Sequence, residues 1–173
     1  MFPVQLHVGK INDMDFKPVQ NAGINEYLRV KPARQTGLWT STFNPDIGSR
    51  WIEWCEFERF RVPEIWEGTL LYPAKSARIY IIDSLKDLNN LLNIHKHHIC
   101  EKDSPSFRPA RLFIDFESAR QKYDGIHLTE KGQDETRYST PNDLYGWDCE
   151  STVWLNWCFE KTEPYYKNTN QKV

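Results

Sequence analysis

The residues best suited to chemistry lie in three stretches. They are Tyr27-Leu28-Arg29-Val30-Lys31, Gly37-Leu38-Trp39-Thr40-Ser41-Thr42 and Asp148-Cys149-Glu150-Ser151-Thr152-Val153-Trp154. Glu150 stands at the mouth of a run rich in β-branched and aromatic residues, the composition of a strand. In a chain extended from Glu150, one face carries Val153, Leu155, Trp157 and Phe159, and the other carries Glu150, Trp154, Asn156 and Cys158. A carboxylate placed there can look into a cleft. In a water-poor cleft it stabilises a developing cation far better than in bulk solvent. Arg29 and Lys31 supply cations, and both lie on one face of a regular strand. Trp39 offers a stacking surface. Asp148 either assists Glu150 or closes an Asx turn.

Other groupings compete. Gln133-Asp134-Glu135 places a second carboxylate two residues after a Gln, in a stretch that reads as loop, so Glu150 is preferred to Glu135. His95, His98 and Cys100 carry zinc-ligand chemistry without a second ligand pair at familiar spacing; a polar helix end explains them better. No metal is expected. Asp124 and His127 can form an acid/base pair, or simply close a helix and open a strand. Arg50, Trp51, Trp54, Arg59, Phe60, Arg61 and Trp66 interleave aromatic and basic residues, as in a single-strand nucleic-acid platform or a helix packing Trp inward. Nucleophile elbows, phosphate loops and the Gly-x-Gly-x-x-Gly fingerprint are absent.

The order of the three stretches resembles the ADP-ribosyltransferase fold family, which includes bacterial toxins and the poly-ADP-ribose polymerases. In that family a strand carries a His or Arg. A second strand carries a glycine, an aliphatic and an aromatic residue, or a Ser-Thr-Ser-like triplet, and a helix follows. A glutamate opens a late strand. Here the matching positions are Arg29, Gly37-Leu38-Trp39 with Thr40-Ser41-Thr42, and Glu150, over roughly residues 25–160. The resemblance implies an α+β domain built as a split antiparallel β-sandwich with a few flanking helices. It implies NAD as substrate, held by Arg29 or Lys31 and Gly37. Trp39 would stack nicotinamide, Ser41 would support, and Glu150 would stabilise the ribosyl cation with Asp148 assisting. The acceptor would be a protein or a nucleic acid. By the same analogy the chain would be a bacterial or phage effector, a setting in which a cognate inhibitor is an expected partner. This sequence departs from the pattern in two ways. Trp39 replaces a smaller aromatic, and Asp148 stands where the arginine-modifying branch has Glu or Gln. The rival reading is a non-enzymatic protein-binding module with a Trp-rich surface.

The elements that must position these residues follow from pattern. Residues 1–8 read as an edge strand or arm, and 9–24 as loop. Strands are expected over 26–31, 37–43, 68–72, 77–82, 111–114, 126–128 and 151–159. One helix should start at Asn44-Pro45-Asp46 and bury Ile47, Trp51, Trp54, Cys55 and Phe57. A second, capped by Asp83 or Ser84, should bury Leu85, Leu88, Leu91, Leu92 and His95. A third, short one should follow Asp115, with Phe116, Ala119 and Tyr123 inward. Residues 101–109 and 129–143 read as loops. Residues 1–160 read as one domain, with a polar tail over 161–173.

A chain of 173 residues can bury a sizeable core. Its 22 basic and 24 acidic residues leave no net pull towards nucleic acid or membrane. The start lacks the basic and apolar regions of a signal peptide, and no apolar run reaches the roughly 18 residues that span a membrane. Cys55, Cys100, Cys149 and Cys158 are scattered, which suits reduced thiols in the cytoplasm.

Overall fold

A computed structural model describes residues 1–22, 30–98 and 112–169. The elements in chain order are β1 (Gln5–Val8), a 3-10 turn (Asp13–Asp15), β2 (Leu38–Thr42), α1 (Arg50–Glu58), β3 (Ile65–Pro73) and β4 (Ile79–Ile82). Then come α2 (Leu85–Ile94), β5 (Lys96–His98), β6 (Leu112–Ile114), α3 (Phe116–Ala119), β7 (Gly125–Leu128), α4 (Glu130–Thr136), β8 (Ser151–Trp154) and β9 (Phe159–Asn168). Among the described residues this is a single-domain α+β protein with a seven-stranded mixed sheet in the order β4-β7-β8-β2-β1-β3-β9 and four α-helices. β4 and β7 run parallel, the other neighbours in this sheet antiparallel, and β5 and β6 form a separate ribbon. None of the described helices is long and apolar enough to cross a membrane.

The sheet is nearly two. β2 and β1 share only the pairs Gln5↔Thr42 and Leu6↔Ser41, after which β1 follows β3 through Val8↔Gly68. Past that short seam, His7 Nδ1 lies 2.9 Å from the Trp39 carbonyl oxygen and supplies the hydrogen bond that a continued ladder would have made. The expected sandwich is therefore one sheet with a constriction, and β1 is an interior strand rather than an edge.

Helices cover one face of both halves. Val153, Ile126, Leu128 and Ile82 pack with Leu88, Leu91 and Leu92 of α2 and Phe116 and Ala119 of α3. Each fully buried leucine contributes about 1.5–3 kcal/mol. Ile52 and Cys55 of α1 pack with Leu6 and Trp66 on the other half. The opposite face holds Leu38, Leu71 and Trp154 under Phe2, Phe16, Trp157 and Phe159.

Several expectations need correction. Val30 and Lys31 lie in a bend, not a strand, and residues 26–29, Arg29 included, fall outside the described residues. The helix expected at Asn44 begins at Arg50. Asn44 Oδ1 instead accepts from the N–H groups of Asp46 and Ile47 in an Asx turn, and Ser49 caps the helix through the Ile52 N–H. Phe57, expected inward, is 81 % exposed, on the face opposite Ile52 and Cys55. The loop expected over 129–143 contains α4, capped by Thr129. α4 packs so closely on β4 that a Cβ at Gly132 would lie 2.1 Å from the Ile82 carbonyl oxygen. The expected tail is instead strand as far as Asn168. β9 pairs along β3 as an edge strand, with Glu163, Tyr165 and Lys167 half-buried and Thr162, Pro164, Tyr166 and Asn168 exposed between them. β8 ends at Trp154, and Trp157 joins the face of Trp154 rather than that of Val153.

Candidate functional site

Glu150 precedes β8, opposite the end of β2, and is 6 % exposed. Its Oε2 accepts from Ser41 Oγ at 2.6 Å and from the Thr42 N–H at 3.1 Å. Its Oε1 accepts from Thr42 Oγ1 at 2.8 Å. Hydroxyl and amide donors thus hold both oxygens of a buried carboxylate. Among the described residues no Lys or Arg pairs with it, and its ion-pair neighbour is His127, with Nδ1 3.5 Å from Oε1. Four residues contribute because β2 and β8 end side by side and β7 runs along β8 with His127 opposite Thr152.

His127 belongs to a buried polar network on the sheet face away from the helices. Gln5 Oε1 accepts from Thr40 Oγ1 at 2.8 Å and Thr152 Oγ1 at 3.0 Å, while Gln5 Nε2 donates to Thr42 Oγ1 at 3.3 Å. The Trp154 indole N–H donates to Thr40 Oγ1 at 2.9 Å, and His127 Nδ1 lies 2.9 Å from Thr152 Oγ1. Burial lowers the His127 pKa from its ordinary 6.5, the nearby Glu150 and Asp83 charges opposing that shift, so the ring is neutral at neutral pH. Glu150 and His127 open into a recess of about 400 Å³ lined also by Asn44, Arg50, Asp83 and Lys131. Its rim charges are paired: Arg50 Nε to Glu130 at 2.5 Å and Lys131 Nζ to Asp83 at 3.1 Å.

A second recess lies on the helix-covered face, between α1 and the 147–151 segment. Also about 400 Å³, it is lined by Trp39, Ser41, Trp51, Trp147, His7, Lys31 and Asp148 among others. It shares His7, Lys31 and Trp39 with a further cavity of about 510 Å³ that reaches Arg34 and Gly37. Trp39 stands edge-on to Trp147, with ring centres 4.7 Å apart, and the Trp147 indole N–H is anchored on the Val30 carbonyl at 3.0 Å. Lys31 Nζ pairs with Asp148 Oδ2 at 3.1 Å and lies 5.7 Å from the centre of the Trp39 ring. Gly37 takes φ +64°, and a Cβ there would sit 3.0 Å from the Trp154 carbonyl oxygen, so the turn into β2 needs glycine. Cys149 also lines this recess. Burial, with Glu150 and Asp148 near, pushes its thiol far above the ordinary range, which rules out a ready thiolate nucleophile.

Ser41 joins the two recesses, because its side chain lines the aromatic one while its hydroxyl holds Glu150. Trp39 and Ser41 point the same way on β2, about 7 Å apart along the strand. Trp39, Ser41, Lys31 and Asp148 thus line the aromatic recess and Glu150 the polar one, linked by the Ser41–Glu150 hydrogen bond, while Gly37 sits at the opposite end of β2, beside Trp154. Asp148 is not beside the Glu150 carboxylate as expected, but faces Lys31 across the aromatic recess.

The competing groupings have structural work to do. Glu135 accepts from the Leu85 N–H at 3.0 Å and Gln133 donates to the Trp147 carbonyl at 3.0 Å. Asp124 is bound to Arg78 at 2.9 Å rather than to His127. Arg78 holds its carboxyl below the usual carboxylate range. His95 Nδ1 lies 2.9 Å from Ser118 Oγ; the His98 side chain and Cys100 lie outside the described residues. Among the described residues, no group of three His, Cys, Asp or Glu can hold a metal ion. Trp66 is buried in the core, its indole N–H donating to Glu56 at 2.9 Å. Sequence reasoning missed Gln5 and His7, gave Thr42 no role of its own within its triplet, and weighed His127 only against Asp124, not Glu150. Only the polar residues at strand positions in Gln5-Leu6-His7 and Gly125-Ile126-His127 hinted at them.

No protein-family model, curated protein or solved structure matches this chain.

Proposed function

We propose that this protein is a NAD-dependent ADP-ribosyltransferase that moves ADP-ribose to a protein or nucleic-acid acceptor. The observation that carries the proposal is the state of Glu150. It is a buried carboxylate, oriented by Ser41 and Thr42, without a Lys or Arg partner among the described residues, beside a Trp-lined cleft. An ion pair would have neutralised such a group; left uncompensated, it favours positive charge brought close to it. Breaking the bond between ribose and nicotinamide builds such a charge on the ribose. Trp39 supplies the stacking face for nicotinamide, and Ser41 fixes the distance between that face and the carboxylate.

On the dinucleotide, Lys31 is the cation within the cleft; the sequence resemblance implies a similar part for Arg29, which lies outside the described residues. His7 adds a second polar ligand. Its Nδ1 must carry the proton given to the Trp39 carbonyl, which leaves Nε2 as an acceptor for a ribose hydroxyl. The constricted sheet, with its cleft where β1 leaves β2, supports an ADP-ribosyltransferase-like fold. Reduced buried cysteines fit work in a cytoplasm. A bacterial or phage effector role, with its cognate inhibitor, rests on analogy alone.

A second reading is favoured by α1. Trp51 and Trp54 stack with ring centres 5.1 Å apart, Phe60 lies beside them, and Phe57 is 81 % exposed. That surface suits a binding module without catalysis. Titrating the protein with NAD while following tryptophan fluorescence and free nicotinamide separates the two. The transferase quenches and releases nicotinamide; the binding module does neither at millimolar NAD.

A further inference from the structure

We infer that His127 is the general base that takes the proton of the attacking acceptor, and that the acceptor enters through the polar recess beside Glu150. The inference rests on the transfer reaction proposed above.

The tautomer follows from the hydrogen bonds. Thr152 Oγ1 gives its only proton to Gln5 Oε1 at 3.0 Å, so towards His127 it can only accept. His127 Nδ1 therefore carries the ring proton, and Nε2 carries the lone pair. The orientation of the Gln5 amide is fixed independently, because Nε2 of Gln5 donates to the Pro3 carbonyl at 3.3 Å. Among the described residues His127 Nε2 has no hydrogen-bond partner, yet it is not a sealed, unsatisfied atom. A lone pair with access to a recess, on a ring held by its other nitrogen, is the arrangement a proton acceptor needs.

The surrounding charges suit proton uptake during reaction. Facing His127 are Glu150 before β8, Asp83 after β4, Glu130 and Lys131 of α4, and Arg50 of α1. Arg50 is taken by Glu130 and Lys131 by Asp83, so Glu150 remains the uncompensated charge, 3.5 Å from Nδ1. When Nε2 gains a proton, that carboxylate stabilises the imidazolium. Burial keeps the ring unprotonated beforehand.

The step balances. A lone pair of the acceptor forms a bond to the anomeric carbon of the nicotinamide ribose. The bond from that carbon to nicotinamide breaks, its electron pair leaving with neutral nicotinamide. The acceptor proton passes to His127 Nε2 and then to solvent. An acceptor that needs this help is neutral with a removable proton: a hydroxyl, an amide or a nucleobase N–H. An acceptor carboxylate needs no base.

The test uses the whole chain, NAD, and water as acceptor, following nicotinamide release from about pH 5 to pH 8. Wild type should lose rate on the acid side, below about pH 6.5. His127→Gln should slow release about 100-fold at neutral pH, abolish that acid limb and leave half-saturation by NAD unchanged. Imidazole should restore His127→Gly. Nitrogen chemical shifts of wild-type His127 should report the Nδ1–H tautomer, a readout independent of any variant's folding. The base role is overturned by an Nε2–H tautomer, or by His127→Gln retaining the rate or the acid limb while Glu150→Gln is silent. Wild type that releases no nicotinamide removes the transfer reaction itself, and the base with it.

Discussion

The two recesses on either side of the Ser41–Glu150 hydrogen bond differ in kind. The aromatic one is walled by Trp39, Trp51 and Trp147, and its Lys31–Asp148 pair is partly exposed, at 36 % and 31 %. The polar one is walled by hydroxyls, carboxylates and an imidazole, and its central charge is 6 % exposed and has no Lys or Arg partner among the described residues. In the proposed reaction, the first side holds a flat, amphipathic molecule and the second holds a charge in place. A reaction that splits a stacked heterocycle from a sugar needs both. It puts the leaving group against aromatic rings, and the charge that develops against a fixed carboxylate.

Substitutions on the two sides should therefore separate rate from affinity. Ser41→Ala removes a donor to a buried carboxylate, worth about 1.5–3 kcal/mol. The maximal rate of nicotinamide release should fall about 10- to 100-fold, with NAD affinity nearly intact. Trp39→Ala should do the reverse, raising half-saturating NAD about tenfold through lost stacking, with a smaller effect on maximal rate. If Ser41→Ala changes affinity alone, the division between the recesses is wrong.

Smaller effects are expected from the exposed pair. Lys31→Met should weaken NAD binding about threefold, an effect that disappears in high salt, as for other partly exposed ion pairs. A loss unchanged by salt would mean that Lys31 contributes packing and not charge. The smallest effect concerns stability. Burial holds His7 and His127 below the ordinary 6.5, so the unfolded chain takes up their protons first as pH falls. The stabilisation is complete above about pH 6.5 and is lost on going lower. Thermal melts between about pH 7 and pH 5 should therefore drop more steeply for wild type than for His127→Gln. Parallel curves would show that His127 does not titrate differently on unfolding.

What was legible in the sequence follows from where the information sits. β2, α2 with its Leu88, Leu91, Leu92 stripe, and the parting of Val153 from Trp154 onto opposite faces of β8 are local patterns of period two or 3.6. The Gln5–Thr152–His127–Glu150 network was not legible, because it is assembled across four strands whose pairing no local pattern records. α4 was missed because its sequence, Glu-Lys-Gly-Gln-Asp-Glu-Thr, is polar with a central glycine, kept there only by close packing on Ile82. β9 was missed because its charges suit an edge strand and a frayed tail equally well. Asp148 was given a part beside Glu150 on spacing alone, while the turn before β8 swings it towards Lys31.

The most direct measurement is nicotinamide release from NAD by wild type and by Glu150→Gln, with binding followed in parallel. Glutamine keeps the shape and loses the charge. The expected result is release by wild type, a fall of at least about 100-fold in the variant, and NAD binding by both. Equal release by the two proteins would remove Glu150 from the chemistry and contradict the central claim.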